Sequence, residues 1–504
     1  MRFAPFIVAI AAGLAQAVSI AAPWNGQPQW WLQVASLAVL AALLQRTASP
    51  AGAAVLAWLF AVAWLGGTWW WLFISMHVYG GLAAPLAVLA VLALAAFLAL
   101  YYALSAALFK LSGGGAIAFG AAWLLGELMR ATIFTGFPWG AGGYAHVDGP
   151  LAALAPFIGV DGICFVAACL AYWLAALVQP RVRSSRRSWL MAGLAVVLLA
   201  ACNVVALRDE PAVPGRKLSV ALLQGNIPQD VKFEPGAGIA LSLDWYAREL
   251  QQTQASLVVT PETAVPILPQ QLPVGYLEPI QERYTQGKQA ALIGIPLGNS
   301  RDGYSNSVIG FEPDAKIYRY DKHHLVPFGE FIPPLFKWFV RMMNIPLGDF
   351  NRGALPQAPF EWQGERLAPN ICYEDLFGEE LAANFTDPAR APTILVNMSN
   401  IGWFGDTVAI DQHLAISRMR AIEFHRPVIR ATNTGATAIV DARGQVTHSL
   451  PRLTRGVLTG DVQGRTDITP YAAWLGRFGL APLWLLAFAA LAAARWTGRR
   501  EARP

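Results

Sequence analysis

Apolar positions in this chain fall in long, nearly uninterrupted runs near both ends, and a more polar stretch separates the runs. Seven runs lie near residues 4–22, 30–45, 52–75, 82–109, 115–137, 150–178 and 188–207, and an eighth covers about 472–494. Apart from the second, which is short enough for a tilted or interfacial helix, each approaches or exceeds the ~20 residues that a helix needs to cross a bilayer. The pattern therefore predicts a polytopic helical membrane domain of about eight spans.

The placement of basic residues predicts how these spans are oriented. If the N-terminus is cytoplasmic, every Lys- or Arg-bearing connection is cytoplasmic too, as the positive-inside rule requires. The intervening loops near residues 23–29, 76–81 and 138–149 contain no Lys or Arg. The basic positions are Arg2, Arg46, Lys110, Arg181, Arg183, Arg186, Arg187, Arg495, Arg499, Arg500 and Arg503. Both termini are therefore expected in the cytoplasm of a bacterial cell, and residues 208–471 in the periplasm.

Residues 208–471 change character, because charges return and short β-rich runs alternate with amphipathic stretches. Predicted strands cover 217–224, 256–260, 290–295, 305–311, 316–321, 366–372, 393–397, 428–432, 436–441 and 457–462. Predicted helices cover 238–254, 275–287, 377–384 and 409–424. Strands that alternate with helices favour a layered α/β sandwich. We thus predict three parts: a membrane domain over 1–207, a catalytic domain over 208–471, and a final span with a basic tail over 472–504.

Composition agrees with a membrane protein and narrows the function. Of 504 residues, 55% are hydrophobic and 14% are charged, and mean hydropathy is +0.41. The net charge of +5 comes from basic residues beside the apolar runs, which indicates membrane topology rather than nucleic-acid binding. Three of the four cysteines lie in apolar runs, so no disulfide framework is indicated. The sequence contains no metal-ligand cluster or nucleotide motif, and no cofactor is implied.

The fourth cysteine, Cys372, lies outside the apolar runs at the end of a predicted strand. A thiolate is a strong nucleophile, but it needs a partner that takes the thiol proton. Glu262 and Lys322 follow two other predicted strands and are the candidate partners. Each residue alone also fits an ordinary role, since a single Cys is often a buried small hydrophobe and a single Glu or Lys is usually solvated.

The order Glu262, Lys322, Cys372 and the residues around each resemble the nitrilase superfamily. The matching motifs are Thr260-Pro261-Glu262-Thr263-Ala264, Asp321-Lys322-His323-His324-Leu325-Val326-Pro327-Phe328-Gly329-Glu330 and Ile371-Cys372-Tyr373-Glu374. Combined with the apolar spans, the chain resembles the apolipoprotein N-acyltransferase family, the membrane-embedded branch of that superfamily. Further matching stretches are Gln224-Gly225-Asn226-Ile227-Pro228-Gln229, Trp403-Phe404-Gly405-Asp406 and Thr432-Asn433-Thr434-Gly435.

The resemblance implies an α-β-β-α sandwich with a Glu-Lys-Cys triad and a reaction between two lipids. An acyl chain would pass from a membrane phospholipid to Cys372, and then to the α-amine of a diacylglyceryl-cysteine at the N-terminus of an apolipoprotein. Glu262 would be the general base, and Lys322 would stabilise the oxyanion together with a backbone N–H near Tyr373. Glu330 would hold the lysine, and Glu374 would polarise the site. We expect a monomer in contact with membrane lipids.

Aromatic residues supply the candidate lipid contacts. Residues 333–343 are too short to span a membrane, yet they include Phe336, Trp338 and Phe339. This stretch fits either an interfacial arm that gates lipid entry or a core helix of the outer domain. Trp403 lies in a matching motif, whereas Phe233 departs from the family, which often has Trp there.

Two other functions stay open on the sequence. A membrane-tethered amidase or nitrilase-type hydrolase would use the same triad with water as the acceptor, although a soluble substrate needs neither eight spans nor an apolar arm. A transporter or assembly scaffold would fit the spans, but the runs lack a clear inverted repeat or several intramembrane charges. An acyl thioester on Cys372 would distinguish the acyltransferase from the scaffold.

Overall fold

A computed structural model describes residues 3–177, 217–314, 316–332 and 349–501, together with residues 193, 197, 200, 203 and 204. The chain divides into two compact units. One unit comprises Met1–Leu72, Pro85–Asp209 and Phe478–Pro504, and the other comprises Phe73–Ala84 and Glu210–Arg477. The short segment Phe73–Ala84 therefore belongs with the second unit, although it includes the end of one apolar run and the start of the next.

The first unit is helical. Its principal helices are Ala4–Ile20, Trp30–Arg46, Pro50–Thr68, Ala84–Leu111, Ala116–Thr132, Ala155–Ala176 and Ala481–Glu501. Within the described residues, four helical stretches are long and apolar enough to cross a membrane, namely Pro50–Thr68, Ala84–Leu111, Ala116–Thr135 and Pro150–Ala176. Ala4–Ile20 and Trp30–Arg46 are apolar but shorter. The helical character predicted for these runs agrees with the structure.

The predicted number of about eight spans is not confirmed. The seventh predicted span, residues 188–207, lies largely outside the described residues. The eighth, predicted over 472–494, is two helices, Pro470–Phe478 and Ala481–Glu501, with a break at Gly479. Gly479 has a φ of +55°, which glycine adopts without the steric cost that a Cβ imposes. An apolar run therefore need not be one continuous helix.

A buried ion pair organises part of the helical unit. Arg130 and Glu127 lie one turn apart on Ala116–Thr132, and their side chains meet at 2.5 Å with almost no exposure. Arg130 also donates to the Tyr102 hydroxyl at 2.9 Å and to the carbonyls of Phe137 and Trp139. The guanidinium thereby holds the end of the helix to the non-helical chain that follows. Its positive charge also compensates the negative charge of Glu127 within the unit.

The second unit contains the strands, which we number β1 to β12 in chain order. Their bounds are Leu218–Gln224, Leu257–Val259, Ala290–Asn299, Gly303–Phe311, Tyr318–Asp321, Phe360–Trp362, Glu365–Ile371, Ile394–Ser399, Val428–Thr432, Ala438–Val440, Val446–Ser449 and Gly456–Val462. Its main helices are Gly238–Gln252, Leu277–Thr285, Gly378–Ala382, Ala409–Phe424 and Pro470–Phe478. Among the described residues, the strands form two six-stranded sheets, ordered β12-β1-β2-β3-β4-β5 and β11-β10-β9-β8-β7-β6.

The two sheets pack face to face, because alternate residues of their central strands meet in one shared apolar core. Leu218, Val220 and Leu222 of β1 join Ile394 and Val396 of β8 in one buried cluster. The opposite face of the first sheet packs on helices Gly238–Gln252 and Leu277–Thr285. This period-two burial gives the α/β sandwich, and the predicted fold class is confirmed.

The sequence pattern does not predict two of the described strands, β6 and β11. β6 has three residues at a sheet edge, and β11 reads Val446-Thr447-His448-Ser449 with all four residues exposed. β6 alternates Phe360 and Trp362, which pack in the core, with the exposed Glu361, but three residues are too few for a periodic signal. β11 buries no apolar face, so it lacks the signal on which a strand prediction depends.

Candidate active site

Each of the three sequence candidates follows the end of a strand. Glu262 lies three residues after β2, and Lys322 directly follows β5, in the first sheet. Cys372 directly follows β7 of the second sheet. Because the two sheets pack face to face, these three strand ends come together at one edge of the sandwich, where electrostatic interactions link all three side chains.

The carboxylate of Glu262 is buried and accepts hydrogen bonds on both oxygens. Its Oε1 accepts from Asn306 Nδ2 at 2.7 Å and from Lys322 Nζ at 3.3 Å. Its Oε2 accepts from the backbone N–H of Asn400 at 2.9 Å. A carboxylate has about four acceptor positions, so these three described donors leave room for a proton donated by a thiol.

Lys322 lies between two carboxylates. Its Nζ is 3.0 Å from a Glu330 carboxylate oxygen, and Asn306 Nδ2 also donates to Glu330, at 2.8 Å. Burial opposes the ammonium form of Lys322, but Glu262 and Glu330 outweigh burial and raise its pKa above the ordinary value. Lys322 is thus a fixed cation, and its two described acceptors leave one of its three N–H groups for a further oxygen.

Cys372 is half-buried and has a φ of +53°, an unusual conformation for a residue with a side chain. Its carbonyl oxygen lies 3.2 Å from both Asn397 Nδ2 and His413 Nε2. Burial, assisted by the negative charge of Glu262, raises the pKa of the Cys372 thiol to about 12, against an opposing effect of Lys322. The resting thiol is therefore protonated, and it needs a base before it can act as a nucleophile.

A buried polar network supports the turn that carries Cys372. Arg430 Nη2 donates to His413 Nδ1 at 2.7 Å, and because an arginine only donates, the imidazole proton must lie on Nε2. That Nε2–H faces Asp375 Oδ1 at 3.0 Å as well as the Cys372 carbonyl. The network thus supports the strained backbone of Cys372 from the side of the second sheet.

Glu374 ties the Cys372 turn to the loop that carries Lys322. It accepts from the backbone N–H groups of Ile371 at 2.6 Å and His323 at 2.6 Å, and from the Tyr320 hydroxyl at 2.9 Å. Burial raises the pKa of Glu374 to about 7, and the Ile371 N–H opposes the rise. Its contacts are with neighbouring backbone and Tyr320, so it positions two of the three candidates.

The predicted aromatic contacts are only partly within the described chain. The rings of Phe233 and Trp403 stack at 6.4 Å, and Tyr79 meets Trp403 edge-on at 5.8 Å. Tyr373 is buried, with its ring 5.2 Å from that of Phe377. The predicted arm at 333–343, with Phe336, Trp338 and Phe339, lies outside the described residues.

Sequence reasoning missed several polar residues of the site. Asn400 follows β8, so the strand-end argument that found Glu262, Lys322 and Cys372 would have found it too. Asn306 lies inside β4 in the alternation Tyr304-Ser305-Asn306-Ser307, where a buried amide gives no signal until its partners are known.

Comparison with known families agrees with both units. Residues 219–471 match the carbon-nitrogen hydrolase family, and residues 12–173 match the N-terminal domain of apolipoprotein N-acyltransferases. Among solved structures, the Caenorhabditis elegans NitFhit protein is 18% identical, with a TM-score of 0.39, covering 53% of this chain and 64% of that chain.

Curated relatives match over nearly the whole length. The apolipoprotein N-acyltransferase of Verminephrobacter eiseniae is 60% identical over 501 residues, covering 94% of this chain and 92% of the relative. That of Ralstonia nicotianae is 49% identical over 483 residues, covering 93% and 90%. That of Bordetella bronchiseptica is 42% identical over 542 residues, covering 99% and 98%. The resemblance seen in the motifs is confirmed, and the chain belongs to the apolipoprotein N-acyltransferase family.

Proposed function

We propose that this protein transfers an acyl chain from a membrane phospholipid to the α-amino group of the N-terminal S-diacylglyceryl-cysteine of apolipoproteins, through a thioester on Cys372. The observation that carries the proposal is the arrangement around Glu262. One carboxylate is held by Lys322, Asn306 and Asn400 beside a thiol that is neutral at rest. Such a site is organised for moving a proton and then for stabilising negative charge.

In the first half-reaction, Glu262 takes the proton of Cys372 while the sulfur attacks the ester carbonyl of the phospholipid. The carbonyl oxygen becomes an oxyanion, which the remaining N–H of Lys322 and a backbone N–H near Tyr373 stabilise. As the C–O bond breaks, Glu262 gives its proton to the departing lysophospholipid oxygen. The acyl group remains on sulfur, and the proton count is unchanged.

In the second half-reaction, the α-amine of the lipoprotein attacks the thioester carbon, and Glu262 takes a proton from that amine. The C–N bond forms and the C–S bond breaks, and the proton on Glu262 then returns to the departing thiolate of Cys372. One site serves donor and acceptor in turn, which predicts ping-pong kinetics. No cofactor takes part in either half.

The surrounding residues have supporting roles in this proposal. Glu330 keeps Lys322 charged and in place, since it is the second carboxylate that contacts the ammonium. Glu374 fixes the Cys372 turn through the Ile371 N–H. Phe233 and Trp403 present a stacked apolar surface of the kind that packs on acyl chains.

We also propose the cellular setting. The protein is a monomer in the inner membrane, with residues 208–471 in the periplasm and both termini in the cytoplasm. The basic residues beside the apolar runs support this orientation. A periplasmic site would give access to phospholipids of the outer leaflet and to exported lipoproteins.

The test follows a labelled acyl chain from phospholipid to a synthetic diacylated lipopeptide. Wild-type protein should form the N-acyl product, and Cys372→Ala and Cys372→Ser should not, while their melting temperatures stay near that of the wild type. Normal turnover by Cys372→Ala would refute the covalent mechanism. Release of the label only as free fatty acid would favour a hydrolase instead.

A further inference from the structure

A second buried lysine lies beside the site and has no role in the triad. Lys232 is in the chain between β1 and the helix Gly238–Gln252, and its side chain is 1% exposed. A buried ammonium is costly unless nearby groups compensate its charge and satisfy its donors. The groups around Lys232 must therefore compensate its charge and accept its hydrogen bonds.

The hydrogen bonds of Lys232 connect it to the turn that carries Glu262, the proposed base. Its Nζ donates to Thr263 Oγ1 at 2.9 Å and faces the carbonyl oxygen of Glu262 at 3.4 Å. Thr263 has a φ of +48°, so the turn after Glu262 is in a conformation that a β-branched residue seldom adopts. The ammonium thus contacts both residues of a turn whose geometry sets the direction of the Glu262 side chain.

The charges around Lys232 include the reacting groups themselves. Glu262 and Cys372 both interact electrostatically with its ammonium, from the turns after β2 and β7. Beyond the Glu262 carboxylate lie Lys322 and Glu330. With Lys232 charged, the two carboxylates of Glu262 and Glu330 face two ammonium groups. When Glu262 takes the thiol proton, the thiolate and the Glu330 carboxylate face the same two ammonium groups, so the site gains no net negative charge.

We propose that Lys232 is a positioning residue for the acyl transfer, which holds the Glu262–Thr263 turn and supplies a second positive charge that favours the Cys372 thiolate. This inference rests on the proposed roles of Glu262 and Cys372. Lys232 acts through those two residues, because its described hydrogen bonds go to the turn and not to the sulfur.

The pKa of Lys232 sets the pH range in which its ammonium is charged. Burial lowers the pKa of Lys232 to about 8, against the opposing effect of Glu262 and Cys372. The ammonium therefore persists below about pH 8 and is lost above it. A contribution of its charge should be largest at neutral pH and should fade as the pH rises.

Two substitutions at Lys232 separate charge from hydrogen bonding. Lys232→Gln keeps N–H donors for Thr263 and the Glu262 carbonyl but removes the charge, whereas Lys232→Arg keeps both. The exposed Lys288→Met is the matched control for loss of a lysine elsewhere in the same unit. The readout is the rate at which iodoacetamide alkylates Cys372 across pH, followed by peptide mass, with Cys372→Ala to identify the signal.

Lys232→Gln should slow alkylation about tenfold at pH 7, since a neighbouring opposite charge favours the thiolate by about one pH unit or more. Its difference from wild type should shrink above about pH 8, where the wild-type lysine loses its charge. At pH 7, Lys232→Arg and Lys288→Met should keep the wild-type rate of alkylation. A wild-type rate at pH 7 in folded Lys232→Gln would overturn the proposal and leave Lys232 a packing residue.

Thr263→Val gives an independent perturbation, because it removes the hydroxyl that fixes the ammonium but changes no charge. It should slow acyl transfer severalfold while the protein keeps its melting temperature, and a wild-type rate would count against the positioning role. One further result distinguishes failure of the proposed function from failure of the inference about Lys232. If wild-type Cys372 forms no acyl adduct with phospholipid, the proposed function fails, whatever the lysine variants do.

Discussion

Replacing Glu262 with glutamine removes the proposed base with almost no change in shape. The carboxylate accepts from Lys322, Asn306 and Asn400, and all three of these partners are donors. A glutamine offers one oxygen and one NH2 group, so whichever way it turns, its NH2 faces at least one donor. Leaving that buried donor unpaired costs about 1–3 kcal/mol, so we expect a modest fall in melting temperature and a folded protein.

The effect on rate should be much larger than the effect on stability. With a thiol pKa of about 12, forming free thiolate at pH 7 costs about 7 kcal/mol, at about 1.4 kcal/mol for each pH unit. In the wild type, Glu262 takes the proton within the site as the sulfur attacks. Loss of a general base typically slows the step by ~10²–10⁴, and we expect Glu262→Gln to lose acylation in that range.

The same substitution should make the thiol itself more acidic. The negative charge of Glu262 opposes the thiolate, so its removal lowers the pKa of Cys372 and moves alkylation by iodoacetamide to lower pH. Acylation by phospholipid would thus fall while the midpoint of alkylation also falls. A merely destabilised protein would not show this combination.

The assay measures acyl-enzyme formation by intact mass in single-turnover experiments, with the exposed Glu278→Gln as the matched control. Glu278→Gln should acylate at the wild-type rate. If folded Glu262→Gln also acylated at that rate, Glu262 could not be the base. If the midpoint of alkylation rose instead of falling, the electrostatic reasoning about the thiol would be refuted.

Three further predictions address Lys322, lipid entry and topology. Glu330→Gln should slow acylation about tenfold or more, because Lys322 loses a charged partner; an unchanged rate would leave Glu330 without a role. Replacing Phe336, Trp338 and Phe339 together with Ser should weaken the use of bilayer phospholipid, since burying each aromatic in lipid is worth about 1.5–3 kcal/mol. The same variant should keep the wild-type alkylation of the Cys372 thiol. Loss of folding would instead indicate that residues 333–343 form a core helix. Reporter fusions at residue 300 and at the C-terminus should give opposite compartment signals, and matching signals would overturn the orientation.

Much of the α/β unit could be predicted from the sequence, because its strands bury alternate residues in a shared core. The pattern located the strands that end before Glu262, Lys322 and Cys372, and these strand ends meet at one edge of the sandwich. Cys372 is also distinct in the sequence, because its thiol is the only one outside the apolar runs. These features are local, so a local pattern reveals them.

The features that the sequence did not reveal depend on partners distant in the chain. Asn306 joins two carboxylates that lie 44 and 24 residues away, and Lys232 contacts a turn about 30 residues away. Hydropathy also cannot distinguish a continuous span from a broken one, as Gly479 shows. Nor does the sequence show that the guanidinium of Arg130, one turn from Glu127, is fully buried and donates to the Trp139 carbonyl.

The most direct test of the account is the mass of the protein after mixing with phospholipid in the absence of any lipoprotein acceptor. One acyl group should be added to Cys372, and hydroxylamine should remove it. Adding a diacylated lipopeptide should transfer that acyl group to give the N-acyl product. Cys372→Ala should gain no acyl group. Acyl transfer to the lipopeptide without any acyl group ever appearing on Cys372, or with one on another residue, would contradict the account.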